Sequence, residues 1–110
     1  MNPLITVLTP QGRLDAAGVR PLETELREHL AAGHVRLLVD MSQVAYISSV
    51  GLQMFLKIMR EAHQRGGVLR LCQLNPHVME IFRIAGFDRV LRIAVTRQEA
   101  EESFANGSGG

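Results

Sequence analysis

Two adjacent serines, Ser48 and Ser49, are the residues whose type and position could do chemistry. They stand between the loop after Asp40 and a helical pattern that opens at about Gly51. One role for them is structural. Serine is a preferred helix N-cap worth about 1 kcal/mol, and either residue alone would satisfy it. The other role is phosphoryl acceptance. A phosphate on Ser49 would place nearly two negative charges at a helix N-terminus, where the dipole and the free N–H groups tolerate them. Such a group need not unfold the domain and would change what the adjacent surface binds. Spacing alone leaves both roles open. A hydrolase nucleophile at Ser49 fails, because a Gly-x-Ser-x-Gly elbow needs glycine where the chain has Ile47. An enzyme using Ser49 or Asp40 as nucleophile would also need a histidine base, and none stands at a recognisable spacing.

Other chemistries find less support. Neither a Gly-x-x-x-x-Gly-Lys-Ser/Thr loop nor a Gly-x-Gly-x-x-Gly fingerprint occurs. Gly66-Gly67 falls at a helix end, the wrong pole of the dipole for an anion. His29, His34, His63 and His77 form no i,i+4 pair, and with one cysteine no metal or other cofactor is expected. Cys72 ends the apolar run Val68–Cys72 and is expected to be a buried small hydrophobe. Twelve Lys+Arg against eleven Asp+Glu leave a charge of +1, with no field to steer the chain onto nucleic acid or an anionic membrane. The N-terminus shows no basic region followed by an apolar stretch, and no run of about 18 apolar residues occurs, so a cytoplasmic protein is expected. The Asn106-Gly107-Ser108 sequon carries no weight without a secretory signal.

The positioning elements follow from periodicity. The 110 residues, 46% hydrophobic and 21% charged, suit one globular domain. Leu4–Leu8 reads as a strand broken at Pro10-Gln11-Gly12. Val19, Leu22, Leu26 and Leu30 mark an amphipathic helix ended by Gly33, and Pro21 places its start near Gly18 or Val19. Val35–Val39 is apolar enough to be a strand buried on both faces. After the loop 41–50, a second helix runs from about Gly51 to Arg65, followed by the strand Val68–Cys72. Asn75-Pro76 opens a third helix with the stripe Val78, Ile81, Phe82 and Ala85. Val90–Val95 is a last strand, and Thr96 and Glu99 have capping-box spacing for a final helix. The order β-α-β-α-β-α-β-α predicts an α/β domain over residues 1–105, its sheet four- to five-stranded and mostly parallel, packed with about four helices. Residues 106–110 read as a disordered polar tail. The predicted core includes Leu14, Leu26, Leu37, Val39, Leu52, Phe55, Leu56, Leu69, Phe82 and Ile93.

Leu52, Phe55, Leu56 and Met59 centre the buried face of the second helix. At 100° per residue Met54 lies about 150° from that centre and Ile58 about 110°. Both are then expected outside the core stripe. They read either as isolated exposed hydrophobes or, beside Ser49, as part of a docking patch.

Three segments together resemble the STAS family, the fold of the bacterial anti-sigma factor antagonists. They are Gly12-Arg13-Leu14-Asp15; Val39 to Leu52 with its Ser48-Ser49-Val50-Gly51; and Gly66-Gly67 followed by Ile84-Ala85-Gly86-Phe87. The likeness spans about residues 4–104. It implies a non-catalytic partner switch. The unphosphorylated antagonist binds an anti-sigma factor that is also an ATP-using serine kinase, and is released once phosphorylated. A metal-dependent PP2C-type phosphatase resets it. Aligned on Gly51-Leu52, the phosphoserine falls on Ser49, with Asp15 as the nearby aspartate. The residues expected to bind the partner are Asp15, Ser48, Val50, Gly51, Met54 and Ile58. Where many members have aspartate before the phosphoserine this chain has Ser48, a second candidate acceptor. Many members also carry a strand before the one at Leu4–Leu8, and its loss would leave a sheet edge to protect or pair. A monomer or weak homodimer is expected; the alternative reading is a non-switched scaffold subunit of a larger signalling assembly.

Overall fold

A computed structural model of the chain describes residues 4–105, so the reading of 106–110 as a tail lies outside the described residues. The strands are β1 (Thr6–Leu8), β2 (Gly12–Leu14), β3 (Arg36–Asp40), β4 (Val44–Ile47), β5 (Val68–Cys72) and β6 (Arg92–Ala94). The α-helices are α1 (Ala16–Ala31), α2 (Ser49–Gln64), α3 (Pro76–Ile84) and α4 (Arg97–Ala105), with a short 3-10 turn at Phe87–Arg89. Four strands form a parallel sheet in the order β1-β3-β5-β6. The other two, β2 and β4, form a separate parallel ribbon. The α/β class and mostly parallel pairing match expectation, but two strands do not. The loop expected over 41–50 contains β4, and Gly12–Leu14 is its partner. Two runs of three and four residues are too short to declare a period, and each is stable only through the other.

The main sheet is covered on both faces. Leu37, Val39, Leu69 and Leu71 point into the larger core with α1, α2 and α3; Leu38 and Cys72 point the other way, beneath Ala100 and Phe104 of α4. That two-sided burial is why β3 reads as a continuous apolar run. Burial pushes the Cys72 thiol up to about 11, so it stays a protonated hydrophobe at neutral pH. Eight of the ten predicted core residues are buried, while Leu56 and Ile93 are half-buried.

Helix α1 begins at Ala16, two to three residues earlier than Pro21 suggested. The side chain of Asp15 accepts the Gly18 N–H at 2.9 Å and so fixes the start. Pro21 forfeits only a bond near that end, and both Pro21 and Ala17, whose carbonyl that bond would have used, are exposed. Arg27 ties α1 to α2 by pairing with Glu23 at 2.9 Å and with Glu61. Helix α3 starts as read, Asn75 Oδ1 accepting the Val78 N–H at 2.8 Å, but Ala85 caps its end and is exposed rather than buried. The last strand is shorter than the expected Val90–Val95, because Val90 caps the 3-10 turn and the Val90 and Leu91 N–H groups both bond back to the Phe87 carbonyl. Ahead of α4, Thr96 Oγ1 accepts the Glu99 N–H at 3.0 Å while Glu99 accepts from Val95 rather than from Thr96.

Helix α2 carries the main correction. Met54 and Ile58, expected to face solvent, are 1% and 0% exposed. The buried set of α2 is Gly51, Leu52, Met54, Phe55, Ile58 and Ala62, whose centre is rotated by about 80° from the predicted one at 100° per residue. The cause is a second neighbour. The helix lies against the sheet and also against α1, so its apolar arc must serve both. Neither Met54 nor Ile58 belongs to a docking surface, whereas Val50 in the first turn is 47% exposed.

Candidate functional site: two helix starts on one ribbon

The ribbon brings the sequence-predicted residues together. In its register Leu14 stands opposite Ile47, and both are buried. The next residue of each strand, Asp15 and Ser48, is the N-cap of the helix that follows. Parallel strands start their helices at the same end, so the N-termini of α1 and α2 lie side by side with Asp15 and Ser48 between them. Both macrodipoles present their positive ends there.

The two serines differ in what they do. Ser48 donates its N–H to the Leu14 carbonyl at 3.1 Å and its hydroxyl to the same oxygen at 3.2 Å. It holds the N-cap position by its backbone, yet its side chain makes no capping bond. Ser49 is the first residue of α2 and is exposed. Among the described residues no hydrogen bond occupies its hydroxyl. The structural role expected of either serine thus falls to Ser48, in altered form, and leaves Ser49 unengaged.

Gly51 is required by packing. A methyl group on it would lie 2.6 Å from Ile47 Cγ1 and 2.8 Å from the Leu14 carbonyl oxygen. Only glycine lets the first turn of α2 sit down on the ribbon, which is the local reason for the Ser-Ser-x-Gly spacing. Gly18 does the same for α1, where a Cβ would meet the Arg13 carbonyl oxygen at 1.9 Å.

Charge is sparse at this end. The Gly18 N–H given to Asp15 holds its carboxyl below the usual carboxylate range, and Arg13 adds to the effect. Arg13 Nε stands 3.5 Å from Asp15 Oδ2, and its guanidinium lies 4.5 Å from the centre of the Tyr46 ring. His77, at the start of α3, stacks with the same ring at 6.4 Å between centroids and 26° between planes. Sequence reasoning passed over Arg13, Tyr46 and His77. The signal was the alternation Arg13-Leu14-Asp15 beside Tyr46-Ile47-Ser48, which has meaning only once the two segments are known to pair.

A parallel α/β domain that sets an exposed hydroxyl, Ser49, at one of two adjoining helix starts offers a site at that end. Residues 1–100 match the STAS domain family, and the chain belongs to it. The Bordetella bronchiseptica protein BtrV, named for the role of anti-sigma factor antagonist, is 37% identical over 94 residues, covering 86% of this chain and 81% of that one. The Thermotoga maritima protein TM1081, titled in the same way, superposes with a TM-score of 0.86 at 23% identity, covering 91% of this chain and 86% of its own. The Bacillus cell fate determinant SpoIIAA in its phosphorylated form gives a TM-score of 0.68 at 22% identity, with 90% and 89% covered. Among the described residues, no helix is long and apolar enough to cross a membrane.

Proposed function

We propose that this chain is an anti-sigma factor antagonist switched by phosphorylation of Ser49, a regulatory binding module without catalysis of its own. Unphosphorylated, it binds an anti-sigma factor that is also a serine kinase. Phosphate transfer from ATP to the Ser49 hydroxyl separates the pair, and a PP2C-type phosphatase restores the free hydroxyl. The observation that carries this reading is the division of labour between the serines. Ser49 is exposed with an unengaged hydroxyl at the positive end of α2, while the hydroxyl of Ser48 is committed to Leu14. Ser49 is therefore the acceptor and Ser48 its support. The docking surface is the rim around them: Asp15, Ser48, the exposed Val50 and the backbone of Gly51. The relatives named above as antagonists support the role, and the phosphorylated form of SpoIIAA supports a fold that survives the modification.

The test is reconstitution with the serine kinase of the same cell that binds the chain. Incubation with ATP should add one phosphate, mapped to Ser49, and Ser49→Asp should weaken the complex at least tenfold while Ser49→Ala binds and stays bound. A Ser49→Asp variant that bound as tightly as the unmodified chain would refute the switch. Phosphate mapped to Ser48 would refute the assignment of the acceptor. Large self-assembled species in size-exclusion chromatography, with no kinase partner, would favour a scaffold instead.

A further inference from the structure

Arg13 has no role in the switch as described, and its geometry gives it one. On the ribbon Leu14 and Ile47 point into the core, so Arg13, Asp15, Tyr46 and Ser48 share the outward face. The Arg13 guanidinium lies over Tyr46, and its Nε stands 3.5 Å from Asp15 Oδ2, on the side of the helix starts. Tyr46 also stacks with His77 from α3, so the ring under the guanidinium has a second neighbour. Yet the contact with Asp15 is loose. At 3.5 Å it is well beyond the usual length of a charge-assisted bond, and the side chain is 64% exposed. A guanidinium held over a ring still has N–H groups free to form a fork with an oxyanion.

We propose that Arg13 is the phosphate-holding residue of the modified state: its guanidinium pivots on Tyr46 from Asp15 to the phosphate on Ser49. This rests on Ser49 being the acceptor. From the level of Tyr46 to that of Ser48 is two extended residues, about 6.6 Å, a span an arginine side chain covers, and Ser49 follows at once. A dianion with three acceptor oxygens outcompetes a single carboxylate for a cation that can pair with it bidentately. Few other charges bear on the site. Residues 49–56 carry no ionisable side chain, α1 offers Asp15 at its cap and Arg20 a turn later, and α3 offers His77. Held by Arg13, the phosphate would lie over the face that Tyr46 presents and cover the rim a partner needs. Arg13 would then act in release rather than in binding.

The experiment uses the full chain with phosphoserine incorporated at position 49 during translation, and no partner. The second ionisation of the phosphate is followed by phosphorus NMR. With Arg13 present it should fall below the value of about 6 usual for phosphoserine. Arg13→Ala should raise it by at least half a pH unit, and Arg13→Lys should fall between. Because His77 stacks with the same ring, His77→Gln is run in parallel and should leave the Arg13 effect in place. Identical titrations with Arg13 and with alanine there would overturn the proposal, provided circular dichroism shows both chains folded; Arg13→Lys gives the same comparison if alanine does not fold. The outcome is separable from the function proposed above. A kinase that releases the chain on modifying Ser49 while the titration ignores Arg13 sinks this inference alone, and a Ser49 that no kinase modifies sinks the switch whatever the titration.

Discussion

Replacing Gly51 by alanine tests the packing that sets the site. In an open helix the change is favourable, alanine being about 1 kcal/mol better than glycine in helix interiors. Gly51 is the third residue of α2, where the new methyl would sit 2.6 Å from Ile47 Cγ1, 3.1 Å from Ile47 Cδ1 and 2.8 Å from the Leu14 carbonyl oxygen. Ile47 is 1% exposed and cannot rotate away, and the carbonyl is the one that accepts both bonds from Ser48. Overpacking of this kind costs about 1–3 kcal/mol. It exceeds the propensity gain, which is smaller near a helix end, and leaves a net loss of about 1–2 kcal/mol. Urea unfolding followed by circular dichroism, with a slope of about 1–3 kcal/mol/M for a small domain, should show the midpoint falling by about 0.5–1 M. The N-terminus of α2 should also lift from the ribbon, seen as faster hydrogen exchange at the Ser48 amide. A midpoint that rises would mean the helix start does not rest on Leu14 and Ile47, and the account of the Ser-Ser-x-Gly spacing would fail with it.

Met54→Ala should cost about 2–5 kcal/mol, as for a fully buried methionine; a loss within about 0.5 kcal/mol, the range of surface changes, would return Met54 to the surface. Asp40→Asn should make stability less dependent on acid. Burial opposes the Asp40 charge, but the Ser42 N–H, the Gln73 amide, the Ser42 hydroxyl and Arg97 outweigh it and hold the carboxyl below its ordinary range. A carboxyl lowered on folding stabilises fully above its unfolded value of about 3.9, and that contribution is lost as pH falls through the folded value. The variant should therefore be less stable than the native chain by about 1–3 kcal/mol near neutrality, with the gap closing below about pH 4; a gap independent of pH would contradict the network.

The main sheet was legible because its signals are long or doubled. The run Val35–Val39 has no polar face to hide, and Asn75-Pro76 states both the cap and the first helical position of α3. The ribbon was not legible. Its strands are three and four residues long, with 29 residues lying between Leu14 and Val44, so only tertiary pairing reveals them. The face of α2 was misread for a related reason. A single-stripe template assumes one neighbour, and α2 has both the sheet and α1. The motif at Ser48-Ser49-x-Gly51 could be seen in the sequence, but not which serine is free, because that depends on the carbonyl of a residue in another strand. Arg13 lay inside a recognised segment and was still passed over, since its partner ring is Tyr46, across the unpredicted pairing.

The paired helix starts also account for how a small group could break a complex and spare the fold. Neighbouring strands are about 4.8 Å apart, so a phosphate on Ser49 would stand roughly 6 Å from the Asp15 carboxylate. Two negative charges against one at that distance repel by about 1.4 kcal/mol in water, with a dielectric constant near 80. The helix dipoles and free N–H groups offset a term of that size, each such interaction contributing about 0.3–1 kcal/mol. When a partner covers the rim and the effective dielectric constant drops to about 20, the same pair repels by about 5.5 kcal/mol. The difference, about 4 kcal/mol, is roughly a thousandfold in affinity. An Arg13 that transfers from Asp15 to the phosphate lowers the first figure further. It does less for the second, because the guanidinium then shares the rim with the phosphate and keeps the partner from closing over it.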